Sequence, residues 1–432
     1  MSREYKDSGI EWIGQIPKEW KVMKIKHYCK SVFSGGTPQS NKEEYWDGNI
    51  PWIPSGSCKN NIIATAPKHI TQKGLDNSST KLIPSDTTVM AMTGATCSNV
   101  GFVTFDTCMN QSVVAYIENK DKALSKFLFY LLQGAQEEVL THKTGGAQSG
   151  INVDDCRNII VPFISLSEQQ KIADYLDKVC GEADEMIALQ EKMIEELKAY
   201  KQSVITEAVT KGLNPKVPMK DSGIDWIGEI PEHWEIKKIK YLSQVVRGGS
   251  PRPAGDTRYY EGNIPFMKVA DITKDDNIYV HSCEYSIKEA GLSHTRMISP
   301  ETLLLTNSGA TLGVPKINSF ATSFNDGIAA FLNLSSSINI YFAYYSLKAR
   351  TLYFLESASL GIGQPNLNTD IIGNTPLVIP PLVEQTEIAS FLDTKCSDID
   401  SLIAVKQQKI VELKEYKKSV IYEYVTGKKE VV

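Results

Sequence analysis

At 432 residues, with 42% apolar and 22% charged residues, the chain has the composition of an ordinary globular protein of more than one domain. No run approaches 18 apolar residues and the start MSREYKDSG lacks the apolar core of a signal peptide, so neither a membrane span nor secretion is expected, and the expected location is cytoplasmic. Lys plus Arg nearly balances Asp plus Glu, 46 against 51, which excludes a polybasic arm and confines any nucleic-acid contact to local patches.

In chain order, the first element is KDSGIEWIGQIPKEW at 6–20. Short strand signals follow at VMKIK, NIPWIP, TVMAMTG, SVVAYI and NIIVPFI, separated by the turn-rich segments SGGTPQSN, DGN, SGSCKNN and TGGAQSGIN. A helix is expected at 122–142, on the apolar spacing of Leu124, Phe127, Leu128, Leu131, Leu132 and Val139. Residues 168–212 hold no proline and carry apolar or small side chains three and four apart, the pattern of a coiled-coil seam. Roughly 45 such residues make a rod on the order of 65 Å. The linker GLNPKVPM (212–219), with two prolines, ends it.

Then the chain starts again. KDSGIDWIGEIPEHW (220–234) repeats the opening, and YYEGNIPFM (259–267) repeats YWDGNIPWI (45–53). SGAT (308–311) repeats TGAT (93–96), a second helix is expected near 338–356, and EQTEIASFLDTKC (384–396) repeats EQQKIADYLDKVC (168–180). A repeat this long is a whole domain with its appendage, not a solenoid module. The expected fold is α+β. Two similar domains of short strands and loops, 1–167 and 213–383, are separated by two long helices, 168–212 and 384–432, packed antiparallel as a coiled coil. The whole is pseudo-two-fold and near-cyclic. The seam is expected at Leu176, Ala183, Ile187, Ile194 and Leu197 with Leu392, Ile399, Ile403, Ile410 and Leu413.

No catalytic constellation recurs in both copies. GNIPW and GNIPF resemble the loop with which amino-methyltransferases hold a flipped base, but Ile replaces its first proline and no Gly-rich methyl-donor loop follows a strand. GATLGVPK (309–316) lacks the Ser/Thr of a phosphate loop, and GIGQPN (361–366) lacks the third glycine of a dinucleotide site. The six histidines show no metal spacing, and Cys180 and Cys396, which recur, read as small buried side chains.

What recurs is loop chemistry inside a shared frame. GNIP and SGAT persist while neighbouring residues differ, as unequal half-sites on equal scaffolds require. Thr, Ser, Asn, Gln, Lys and Arg can contact phosphates and base edges. The candidate DNA-contacting residues are Thr37, Gln39, Asn41, Lys42, Lys59, Thr96, Gln148 and Asn152 in the first half. In the second they are Arg247, Ser250, Arg252, Arg258, Arg296, Thr311, Gln364 and Asn366. No residue is expected to be catalytic or to bind a metal.

The KDSGIxWIGxIPxxW openings, the GGTP and GGSP turns, the GNIP strands and the EQxxIAxxLD…ELKxYKxSVI helices resemble the specificity (S, or HsdS) subunits of type I restriction-modification systems, over the whole chain and in both copies. The resemblance implies two target-recognition domains, each reading half of a bipartite sequence in double-stranded DNA, and two helical regions that space them. It also implies no catalysis and no cofactor in this chain. Two methyltransferase (M) subunits would carry S-adenosylmethionine and methylate adenine N6, and two restriction (R) subunits would use ATP and Mg. A stand-alone DNA-binding regulator and a coiled-coil adaptor that does not touch DNA are the alternatives.

Overall fold

The computed structural model describes residues 3–144, 150–309, 311–351, 353–355 and 366–431. Two compact units emerge: Met1–Glu191 with Gln407–Val432, and the unbroken stretch Lys192–Lys406. Their boundaries fall inside the two long helices, Leu166–Lys211 and Leu382–Val425. Each unit therefore takes one globular region, the first part of the helix that follows it and the last part of the other.

The first unit is organised by a five-stranded sheet in the order Cys29–Ser34, Val113–Glu118, Thr87–Ala91, Val100–Val103, Asn61–Ile63. Its pairs are antiparallel except the last, Asn61–Ile63 with Val100–Val103, which is parallel. Alternation of side chains along a strand decides what each face buries. Val89, Ala91, Val113 and Ala115 face a cluster with Ile53 and Met109. Met90, Val114 and Tyr116 face the cluster formed with Phe127, Leu128 and Leu131 of the helix Ser125–Gly134. Covered on both faces, Thr87–Ala91 is buried throughout. The helix expected over 122–142 is two, Ser125–Gly134 and Gln136–Thr141, broken at Ala135. At the break the chain runs against the second long helix, where a Cβ on Gly134 would lie 2.5 Å from Val425.

The second unit repeats this plan with other side chains. Its sheet runs Gln244–Arg247, Ile328–Leu332, Leu303–Thr306, Pro315–Asn318, Tyr279–Val280, again with a single parallel pair, the last. Both GNIP strands, Trp46–Ile53 and Tyr260–Met267, bulge at the same place, with Asp47 and Glu261 at φ 58° and 61°.

Within the first unit the parts of the long helices run antiparallel. Tyr175 packs on Tyr424 with ring centroids 4.4 Å apart, and nine residues further along the Lys417 ammonium pairs with Asp184. Within the second, Lys201 Nζ lies 2.6 Å from Asp400 Oδ2 and Lys406 Nζ donates to Met193 Sδ at 3.5 Å. Along the seam Leu176, Ala183, Ile187, Ile194, Leu392, Ile399 and Ile410 are buried and Leu197, Ile403 and Leu413 half-buried.

The repeated opening is a docking module. Tyr5–Asp7 and Gln15–Pro17 form a hairpin whose Trp20 indole N–H donates to Glu168 Oε1 at 3.1 Å. Gly427, in the left-handed region at φ 73°, ends the second long helix against Pro17 and Trp20, and Lys428 Nζ donates to the Ile13 and Gln15 carbonyls. Gly212 at φ 76° ends the first helix against Trp234 in the same way, and the Trp234 indole donates to Glu384 Oε2 at 2.9 Å.

Candidate nucleic-acid interface

The register of the central sheet brings the variable loops together. Ser34 pairs with Val114 and Ala91 with Val113. The loop after Ser34 (GGTPQSNKEE), the turn before Val113 (Asn110, Gln111, Ser112) and the loop after Ala91 (with TGATCSN) therefore leave the same end of the sheet. A bridge between Thr93 and Gly150 adds the segment ending at Asn152. In the second unit Arg247 pairs with Ala329 and Thr306 with Ile328, which gathers RGGSPRPAGD, the turn Asn325–Gly327 and NSGAT. There Ser308 bridges to Asn366. Lys59 precedes the edge strand Asn61–Ile63 at that same end in the first unit.

The glycine pairs hold these loops. A Cβ on Gly35 would sit 1.9 Å from the Met109 carbonyl oxygen, and on Gly248 2.3 Å from that of Asn325. On Gly36 it would meet Ser79 and Thr80, and on Gly249 the His294 carbonyl at 2.1 Å. The glycines thus permit close approach of backbone to backbone within the domain. The persistence of GG reflects packing, and the differences between the two copies begin one residue later, at Thr37 and Ser250.

In the first unit the Thr37 hydroxyl donates to Gln111 Oε1, and both side chains are exposed. Gln39 is exposed and its carbonyl accepts from the Trp46 indole at 3.2 Å. Asn41 is exposed, and Lys42 Nζ donates to Tyr45 Oη at 3.1 Å. Thr96 is half-buried and turned back to the Thr93 carbonyl at 3.5 Å. Asn152 is committed elsewhere: it caps the helix Val153–Asn158, accepting from Asp155 N at 2.9 Å while Asp155 Oδ2 accepts from its own N–H at 3.2 Å. Its counterpart in the second unit is Asn368, which caps Thr369–Asn374. The asparagine recurs because a helix starts there.

The second unit concentrates charge around Asp326. Ser250 Oγ donates to Asp326 Oδ1 at 2.8 Å, as Thr37 does to Gln111, and Arg252 Nη2 lies 3.5 Å from Asp326 Oδ2. Arg247 Nε donates to the Asp326 carbonyl at 2.5 Å, and Arg296 Nε to the Arg247 carbonyl at 3.2 Å. Arg258 stands apart, paired within its own loop with Asp256 at 2.7 Å. That hydrogen bond and charge hold the Asp256 carboxyl below its usual range. Thr311 is exposed. Gln148 and Gln364 lie outside the described residues. The buried Asn307 amide, at the same sheet end, has no hydrogen-bond partner among the described residues.

Sequence reasoning did not single out Gln111 and Asp326, which contact Thr37 and Ser250. They carry the same signal as the expected residues, difference beside a shared Asn (Asn110 and Asn325), but within a turn of only a few residues ahead of strands. It also missed a groove of about 630 Å³ along the edge strand Cys29–Ser34, lined by Lys26, Lys30, Lys81 and Arg157 with Asp154 as its acid. Among the described residues no group of three or more His, Cys, Asp or Glu is placed to hold a metal. Burial pushes the thiols of Cys29, Cys58 and Cys156 up to about 12.

Two homologous domains, each presenting one cluster of polar loops that differs from the other in charge, define a two-headed recognition protein. The family of the type I restriction modification DNA specificity domain matches residues 17–199 and again 231–415, and the chain belongs to that family. It is 27% identical over 391 residues to the MjaIX specificity subunit of Methanocaldococcus jannaschii, covering 88% of this chain and 86% of that one. To the EcoR124I/EcoR124II specificity subunit of Escherichia coli it is 28% identical over 182 residues, 40% of this chain and 42% of that one. The fold is similar to a chain in a solved structure of a type I R-M system, with TM-score 0.72 and 18% identity over 95% of this chain and 98% of that one. It is also similar to the HsdS subunit of Thermoanaerobacter tengcongensis, with TM-score 0.50 and 17% identity over the same shares. No helix among the described residues is long and apolar enough to cross a membrane.

Proposed function

We propose that this chain is the DNA-reading subunit of a cytoplasmic type I restriction-modification assembly, and that it reads an asymmetric bipartite target, one half-site per domain. The observation that carries the asymmetry is the pair of loop clusters at equivalent sheet ends. One is built on Thr37, Gln39 and Gln111 and is neutral; the other is built on Ser250, Arg252 and Asp326 with Arg247 and Arg296 beside them. Two recognition surfaces so different cannot favour the same bases. Lys26, Lys30 and Lys81 are suited to phosphate contacts along one domain, but the near-balance of charge over the chain leaves the isolated subunit a weak, salt-sensitive DNA binder. Two M subunits supply S-adenosylmethionine and methylate adenine N6; two R subunits supply ATP- and Mg-dependent cleavage. The 168–212 and 384–432 helical regions serve as spacers between the 1–167 and 213–383 recognition domains. The test is N6-methyladenine mapping in host DNA with and without the chain, its cognate methyltransferase present in both. A bipartite, non-palindromic motif that disappears with the chain is expected. A palindromic motif, or methylation that persists unchanged, refutes the reading.

A further inference from the structure

In the second domain the loop after the edge strand Gln244–Arg247 and the turn before the neighbouring strand Ile328–Leu332 put two side chains together, and the first domain has the same loop and turn at the equivalent sheet end. In the second domain these are Arg252 and Asp326; in the first, Gln39 and Gln111 stand at the corresponding positions. Resting on the DNA-reading function proposed above, we infer that this place reads one base pair in each half-site. Arg252 with Asp326 reads a G·C pair, and Gln39 with Gln111 reads an A·T pair.

The argument starts from the carboxylate. The side chain of Arg252 is 73% exposed and that of Asp326 44%, so both are open to a ligand. An arginine meant for a phosphate gains nothing from an exposed carboxylate at its side, because that charge repels the backbone it is to bind. Against a base pair the same carboxylate is an asset. In the major groove guanine shows two acceptors, O6 and N7, and its cytosine one donor, the N4 amino group. Arg252 offers two parallel donors and Asp326 an acceptor beside them, the complementary row.

The pair is also held in place. Ser250 Oγ occupies Oδ1 of Asp326 at 2.8 Å and leaves Oδ2 toward Arg252. Arg247 Nε grips the Asp326 carbonyl at 2.5 Å, and Tyr260 Oη donates to the Pro251 carbonyl at 2.9 Å, anchoring the loop next to Arg252. Arg252 is then the base-contacting residue and Asp326 both a contact and a positioning residue. In the first domain Thr37 engages Gln111 Oε1, which leaves the amino group of this exposed side chain to donate to thymine O4. Gln39 has the donor and acceptor that adenine N7 and N6 require.

The test uses the full chain with its cognate methyltransferase and reads the methylation motif in host DNA for wild type, R252K, D326N and R252Q/D326Q. Wild type is expected to specify G·C at one position of one half-site. R252K keeps the charge but cannot form the two parallel bonds, so discrimination at that position should fall roughly 5- to 150-fold with every other position unchanged. D326N should relax the same position. The double variant, which installs the first domain's pair, should move the preference there to A·T. Variants that keep the wild-type motif letter for letter, or that lower methylation equally at all sequences, overturn the inference and make Arg252 a phosphate contact. Should the double variant fail to methylate, R252K and D326N, both conservative exchanges at open positions, still decide the matter. A wild-type chain that directs no bipartite motif would instead refute the proposed function itself.

Discussion

Gly248→Ala tests whether the glycine pair is what hangs the recognition loop on the sheet. A methyl group there would lie 2.3 Å from the Asn325 carbonyl oxygen, 2.4 Å from that of Phe324 and 2.6 Å from the Phe324 ring. Ordinary contact begins near 3.4 Å, so the turn Asn325–Gly327 must retreat by about 1 Å. That turn carries Asp326, and the retreat strains two hydrogen bonds, Gly248 N to Ile328 O and Gly249 N to Phe324 O, both 3.1 Å. Overpacking costs about 1–3 kcal/mol and each of the two strained bonds about 0.5–1.5, so a loss of roughly 2–6 kcal/mol is expected. The measurement is guanidinium unfolding of the full chain beside Gly56→Ala, whose added methyl would meet nothing within 4 Å and should stay within about 0.5 kcal/mol of wild type. With cognate methyltransferase, methylation by Gly248→Ala should lose selectivity in one half-site only. A Gly248→Ala protein within about 1 kcal/mol of wild type, and still selective, refutes the reasoning.

Asn152→Ala should cost about 1 kcal/mol in chemical denaturation through loss of its capping box, and leave the methylation motif unchanged; an altered motif would show that its side chain meets DNA after all. Stability should fall above pH 9, the ordinary thiol value, because the unfolded chain then releases protons that half-buried Cys29 and buried Cys58 and Cys156 retain up to about 12. Each thiol contributes a slope of about 1.4 kcal/mol per pH unit in that window, so Cys58→Ala should unfold with a shallower pH dependence between pH 9 and 11; an unchanged slope contradicts the burial. Arg350, 2% exposed, lies 4.2 Å from the Trp226 ring centroid with Nη1 lacking a hydrogen-bond partner among the described residues, and burial pulls its guanidinium down to about 9. Arg350→Met should therefore keep or raise stability by about 1 kcal/mol at neutral pH, and a loss above 2 kcal/mol in the same assay would show that the charge is well solvated where it sits.

The fold was legible where side-chain periodicity is strong. The apolar runs of TTVMA and VVAYIE became strands of the sheet, and the three-and-four spacing became the long helices. The place where helix 122–142 breaks was not legible, because what packs against the chain there, Val425 beside Gly134, lies far away in sequence. Among the candidate site residues the repeat itself was the guide, and a repeat does not say what a side chain does in the fold. It marked Asn152, whose side chain caps a helix. It passed over Gln111 and Asp326, whose places beside Thr37 and Ser250 depend on strand register and not on any local pattern.

The second unit is one uninterrupted stretch of chain, whereas the first is completed by residues 407–432. A ribosome therefore delivers everything the second domain needs before the first has its last helix. Until then the surface that will receive Val420, Ile421, Tyr424 and Val425, on Ile172, Leu176 and their neighbours, stays open to water. The domain made first is finished last. A stop codon shortly after position 406 would thus damage the domain at the opposite end of the gene, and nascent chains stalled there are the natural clients of chaperones that bind exposed apolar surface.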